Sequence, residues 1–169
     1  CDIFSEQYKL DIVYNPEFLR ESTTPFEDFQ NQRHVVIGTK NQKLFDPVKN
    51  FYDIITNDGT IFHNLTFLEA EMVKYAQNTM LASRVALANI IYDACRNSEI
   101  DYSVIREIAF DSFDILGPHM VKVPGPDGKR GFGGKCLPKD ISGFSSIHDS
   151  DILKEIIIYN QKLRDDLDI

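Results

Sequence analysis

Long hydrophobic runs are missing from this chain. No apolar stretch approaches the roughly 20 residues that a membrane-spanning helix needs, so no membrane partner is expected. Basic residues are in the minority, with 18 Lys and Arg against 26 Asp and Glu, a formal charge of −8. Nucleic acids and anionic membrane surfaces both require a basic face, so neither is expected as a partner. Cysteine is scarce: Cys1, Cys95 and Cys136 are odd in number and far apart. With no CxxC pair, neither a disulfide framework nor a cysteine-rich zinc site fits, and a reducing, cytoplasmic setting is expected. His34, His63, His119 and His148 show no metal-ligand spacing, so no metal is expected. Internal repeats and low-complexity tracts are also lacking. What remains is ordinary globular usage over 169 residues, 43% hydrophobic and 26% charged, enough to bury a core.

Two short β-branched runs, residues 10–14 and 34–38, read as buried strands. Residues 16–20 read as a turn or short helix, and residues 23–31 as a polar loop. Apolar residues at Phe45, Val48, Phe51, Tyr52 and Ile55 have helical spacing, with Pro47 in the first turn. Asn57-Asp58-Gly59 signals a turn before a brief strand at residues 60–63. Thr66-Phe67-Leu68-Glu69 matches a capping box and opens a helix that no Gly or Pro interrupts until about residue 96. That helix, about 45 Å long at 1.5 Å per residue, is apolar on most sides and is expected to be broadly buried against a partner helix. Asp101 is placed to cap a second helix through Phe113. Residues 117–128 read as a Pro- and Gly-rich ordered loop. Residues 140–146 and 151–167 read as the last two helices, the second amphipathic through Ile152, Leu153, Ile156, Ile157, Leu163 and Leu167. The expected fold is an α/β remnant, residues 1–60, followed by an all-α domain with one long helix, residues 61–169. The first residue is not Met and the last lies in a helical pattern, so a piece of a longer protein is expected.

Three segments could carry chemistry. In Gly131-Phe132-Gly133-Gly134-Lys135-Cys136-Leu137-Pro138-Lys139-Asp140, the glycines let backbone approach a ligand closely. Cys136 stands near an expected helix start, where the dipole favours a thiolate, with Lys135 and Lys139 beside it. Asp140 lies one turn on, placed to hold a water or assist proton transfer. The bland alternative is a structural cysteine after a flexible loop. A P-loop is excluded, because position 129 is Lys rather than Gly and Cys136 stands where Ser or Thr would bind magnesium. The same glycines do not form a dinucleotide fingerprint after a strand. Lys74 and Asn78, four apart, share a helix face with Glu71. They would suit a developing oxyanion, although a solvated stripe accounts for the same spacing. Asn15-Pro16-Glu17-Phe18-Leu19-Arg20-Glu21 follows a strand, where α/β folds bind ligands; its carboxylates are equally compatible with an ordinary surface. A cysteine hydrolase would need a His beside the thiol, and none of the four has such a motif.

Together with Val35-Val36-Ile37-Gly38 and the residues Ala70 to Asn78, these segments resemble the UDP-glucose/GDP-mannose dehydrogenase family in sequence, order and spacing, over residues 11 to about 147. The resemblance implies oxidation of a nucleotide-sugar C6 alcohol to the uronic acid with two NAD in turn, UDP-glucose being the expected sugar nucleotide. It implies Cys136 as the nucleophile that carries a thiohemiacetal and then a thioester, and Lys74 and Asn78 as groups that steady the C6 oxygen. Asp140 would act through a water and Glu21 as acid/base in hydrolysis. Glu17, Phe18 and Leu19 would lie along the substrate, under the Phe132-Gly133-Gly134 loop. Lys139 resembles a family lysine near the cofactor phosphates. Position 119 is His where the family pattern has a nearby Arg contributed across a dimer, so His119 is a substrate-site candidate. Position 135 is Lys where Ser is frequent, and residues 124–129 lengthen the loop. The family's glycine-rich NAD half and its C-terminal domain have no counterpart here, so the chain alone is expected to be an incomplete enzyme within a homodimer or higher oligomer. The competing reading is a helical assembly module of the same descent that has lost catalysis.

Overall fold

The computed structural model describes residues 1–19 and 25–165. It divides into two compact units, residues 1–74 and 75–169, with the division inside one long helix.

The first unit opens with α1 (Asp2–Tyr8), which ends at Lys9 in the left-handed conformation, φ 51°. Residues 10–19 are irregular, and the strand expected at 10–14 is not formed. Only Tyr14 pairs, through an antiparallel bridge to Gly38 in which each amide donates to the other's carbonyl at 2.8 Å. The segment expected to be a polar loop contains α2 (Pro25–Gln30), since Pro25 presets the first helical position and acidic Glu27 and Asp28 suit the first turn. β1 (His34–Gly38) follows, with Val35, Val36 and Ile37 all buried. Such a continuous buried run is characteristic of a parallel strand. A 3₁₀ turn leads into α3 (Phe45–Ile55), matching the expected span, and β2 (Ile61–Leu65) pairs parallel to β1 with His34 opposite Ile61 and Gly38 opposite Leu65. The unit is thus a β–α–β crossover, and its second strand lies beyond residue 60.

One residue later α4 (Phe67–Asn97) begins. The capping box forms as read. The Thr66 amide donates to Glu69 Oε2 at 2.8 Å and the Glu69 amide to Thr66 Oγ1 at 3.3 Å. The Thr66 amide and then its hydroxyl hold the Glu69 carboxyl below its ordinary value.

In the second unit, Asp101 caps α5 (Tyr102–Arg106), accepting the Ser103 amide at 2.8 Å. The chain then widens into a single π turn over Glu107–Asp111, short of the expected end at Phe113. After a long loop come α6 (Cys136–Ile147) and α7 (Asp151–Arg164). Helix α6 starts four residues before the expected position. Pro138 falls in its first turn, where a missing N–H leaves no intrahelical bond unmade. Ala82, Phe132, Ile141 and Leu153 form the core, with Val85, Leu137, Phe144, Ile156 and Ile157 packed on it. Within this chain α4 is not buried all round, in line with a helix too apolar for so small a chain to cover. The face with Ala82 and Ala86 is covered, while Met80, Leu87 and Ile90 are exposed. The short helices of a unit this size can cover only one side of so long a rod. Among the described residues no helix is long and apolar enough to cross a membrane.

Candidate active site

Cys136 occupies the first position of α6, and it is the exposed one of the three thiols; Cys95 is buried and Cys1 half-buried. One turn further on, Asp140 is buried with its carboxylate divided between two donors. Lys139 Nζ donates to Oδ1 at 2.6 Å and Asn78 Nδ2, from α4, to Oδ2 at 2.5 Å. Asn78 is buried as well. The Lys139 ammonium is held charged, its pKa raised chiefly by the bond to Asp140, which outweighs the opposing effect of burial, with the Asp140 charge adding a smaller push. A carboxylate satisfied in this way is fixed in place rather than free to swing, and it aligns a cation beside the thiol. The spacing read from sequence therefore does bring Cys136, Lys139, Asp140 and Asn78 together.

The glycine loop is built for close packing. Gly131 and Gly134 both have φ of +75°, a conformation that side chains disfavour. At Gly131 an added Cβ would lie 2.5 Å from Asn160 Oδ1, and at Gly133 one would lie 2.8 Å from the Arg164 guanidinium. Phe132 lies between them. Its ring is buried in the core, and both its backbone groups are bound, the amide donating to Asn160 Oδ1 at 2.7 Å and the carbonyl accepting from Asn160 Nδ2 at 3.0 Å. What the loop can present to a ligand is Gly133 and Gly134.

Residues on either side fasten the loop further. Arg130 Nη2 donates to Asp93 Oδ2 at 2.5 Å, Nε donates to Asn89 Oδ1 at 3.3 Å, and its guanidinium lies 5.3 Å from the Tyr92 ring centroid. Tyr159 donates its hydroxyl to the same Asp93 oxygen at 3.1 Å, and burial first, then that bond, pushes its pKa up to about 12. Arg164 holds Asp127 at 2.7 Å, and Arg84 donates to the carbonyls of Leu116 and Gly117. His119 is exposed on the same loop. None of Asn160, Arg130, Arg164, Asp93 or Arg84 was found from sequence. Only Asn160 left a signal there, as an amide in the apolar stripe of α7 between Ile156, Ile157 and Leu163.

In the first unit, Lys74 reaches the segment after the Tyr14 bridge. Its ammonium donates to the Glu17 carbonyl and lies 5.1 Å from the Phe18 ring centroid. Glu17 in turn accepts the Leu19 amide at 2.9 Å. Lys74, Glu17, Phe18 and Leu19 thus share one locality, set there by Asn15, which donates to the Val36 carbonyl at 2.7 Å and accepts from Tyr52. Glu21 lies outside the described residues.

Gly38, at the C-terminal end of β1, has its Cβ space filled by Ala70 at 2.7 Å and the Thr66 carbonyl at 3.1 Å, so it lets the first turn of α4 pack closely on the strand end. No group of three His, Cys, Asp or Glu able to hold a metal occurs among the described residues.

Residues 2–56 match the NAD binding domain and residues 68–162 the central domain of the UDP-glucose/GDP-mannose dehydrogenase family. The chain belongs to that family. It is similar to the UDP-glucose 6-dehydrogenases of Rickettsia bellii, 32% identical over 92% of this chain and 35% of that protein, and of Bacillus subtilis, 31% identical over 94% and 33%. Among solved structures, a UDP-glucose dehydrogenase from Pyrobaculum islandicum superposes with a TM-score of 0.74 at 28% identity, covering 89% of this chain and 34% of that one. A dehydrogenase from Pyrococcus horikoshii, at 20% identity, shares the fold with a TM-score of 0.77, covering 96% of this chain and 38% of that one. The chain spans about a third of the length of these relatives.

Proposed function

We propose that this chain is the thiol-bearing part of an NAD-dependent nucleotide-sugar dehydrogenase that oxidises the C6 alcohol of UDP-glucose to the carboxylate. Residues 1–60 would belong to its NAD-binding domain and residues 61–169 to its central domain. The observation that carries the reading is Cys136, exposed at the start of α6 with Lys139 and the buried Asp140–Asn78 pair one turn away. NAD would be the hydride acceptor, in keeping with the match of residues 2–56 to the family's NAD binding domain.

The chain's own residues divide the rest. Cys136 Sγ bonds to C6 of the aldehyde, whose oxygen takes up a proton to give a thiohemiacetal. After oxidation the same sulfur carries a thioester, and water then cleaves the C–S bond, releasing the acid and restoring the thiol. The donors of Lys74 and Asn78 suit an oxygen that gains charge as sulfur adds. Asp140, already bonded at both oxygens, orients Asn78 and Lys139 and assists through water, and Glu21 is the acid/base for hydrolysis. Glu17, Phe18, Leu19, Gly133 and Gly134 line the sugar nucleotide, His119 is a further candidate there, and Lys139 serves the cofactor side.

The test is alkylation of the native enzyme with iodoacetamide. Cys136 is expected to react first and UDP-glucose to protect it, while Cys136→Ser should bind the sugar nucleotide yet release no uronic acid at a normal rate. Equal labelling of all three thiols without protection, or unchanged turnover of Cys136→Ser, would refute the assignment.

A further inference from the structure

We infer that Asn160, on α7, is a positioning residue for the Cys136 thiol, an inference that rests on the reading of Cys136 as the nucleophile. Its carboxamide is buried and spends donor and acceptor on a single residue, Phe132, accepting from the amide at 2.7 Å and donating to the carbonyl at 3.0 Å. A side chain that bonds both backbone groups of one residue fixes that peptide's orientation as well as its place. The fit leaves no slack, because a Cβ at the neighbouring Gly131 would stand 2.5 Å from Asn160 Oδ1 and 3.2 Å from the Leu163 Cβ.

The restraint passes to the thiol by two short routes. Along the chain, Phe132 is followed by Gly133, Gly134 and Lys135, and then by Cys136 at the start of α6. Two adjacent glycines cannot hold their own conformation, so the anchor before them decides where the helix start lies. Through space, the Phe132 ring shares a core cluster with Leu137 and Ile141, the residues that follow Cys136 and Asp140 in sequence. Releasing Phe132 therefore loosens both the entry to α6 and the packing beneath it. Asn160 is buried, and both its polar atoms are engaged by the Phe132 backbone. Its effect must fall on how well the sulfur is aimed rather than on how tightly the sugar nucleotide is held.

Asn160→Leu, nearly the same volume but without either bond, tests this in the native enzyme. Misplacement of a reacting group by about 1 Å costs on the order of 100-fold. The variant is expected to lose about 10- to 100-fold in kcat while KM for UDP-glucose moves less than about 3-fold, the pattern of a lost transition-state alignment. A folded Asn160→Leu enzyme with wild-type kcat would overturn the inference, as would a loss confined to KM. Should the variant not fold, hydrogen exchange on the wild-type enzyme decides. The Phe132 amide is expected to exchange at least about 100-fold more slowly than the exposed Gly134 amide, and equal exchange would overturn the clamp. Cys136→Ala run alongside separates the two readings: full turnover of that variant removes the thiol mechanism whatever Asn160 does.

Discussion

Replacing Asn78 by Asp would place two carboxylates where the structure now has an amide and an acid, buried and 2.5 Å apart at their nearest atoms. Two like charges that close cannot both ionise, so the folded pair retains one proton well above the ordinary carboxylate range, by as much as 3–5 units for fully buried groups. The sign follows directly. The unfolded chain releases that proton near pH 4 whereas the folded protein keeps it, so the variant's stability is complete below pH 4 and is lost as pH rises through the folded value. The slope is about 1.4 kcal/mol per pH unit. Between pH 5.5 and 7.5 the stability difference from wild type should therefore grow by up to about 3 kcal/mol. Lys139, 2.6 Å from the other Asp140 oxygen, favours ionisation and trims that figure. Urea unfolding of both proteins at three pH values across this range measures the difference. The exchanged pair Asn78→Asp with Asp140→Asn restores one amide–carboxylate bond, so it should lie within about 1 kcal/mol of wild type and lose the slope. A difference that does not change with pH in the single variant would show that positions 78 and 140 do not face each other across a dry contact.

Tyr159 should keep its proton until about pH 12, so stability is lost as pH rises from the ordinary tyrosine value near 10 through that point. Tyr159→Phe should remove this loss, and the phenolate absorbance missing from the variant should appear only near pH 12; a midpoint near 10 would refute the burial of that hydroxyl against Asp93. The exposed Met80, Leu87 and Ile90 form a stripe on one side of α4 suited to a second copy of the chain. Sedimentation at micromolar concentration is expected to show a dimer or larger species, and a clean 19.4 kDa monomer would refute it.

Local signals translated well into structure. The β-branched run at residues 34–38, the helical spacing at residues 45–55 and the Thr66–Glu69 capping box each depend on neighbours within one turn or one strand, and each formed where the pattern lies. The run at residues 10–14 failed because strand formation needs a partner, and only Tyr14 finds one, at Gly38. Around the thiol, the cluster of Cys136, Lys139 and Asp140 was legible because helical spacing alone sets it. Asn78 on Asp140 joins positions 62 residues apart, yet both ends had been picked out for their chemistry. The fastenings were hidden. Arg130 to Asp93 and Asn160 to Phe132 span 37 and 28 residues, and an arginine or an amide that ties a distant loop leaves no period in the sequence. The burial of the Phe132 ring was hidden for the same reason, since a phenylalanine between glycines carries no sign of the core that takes it.

The contact of Gly38 with Ala70 places a joint limit on two positions 32 residues apart. Hydrogen at position 38 and methyl at position 70 already fill the gap between the end of β1 and the first turn of α4, where a Cβ on residue 38 would stand only 2.7 Å from that of Ala70. The two sites draw on one shared volume. Descendants of this sequence that enlarge either residue must shrink the other or shift α4 along the strand end, and with Gly38 at the minimum, Ala70→Gly is the one change that makes room. The pair should drift together through sequence space, one constraint recorded at two addresses.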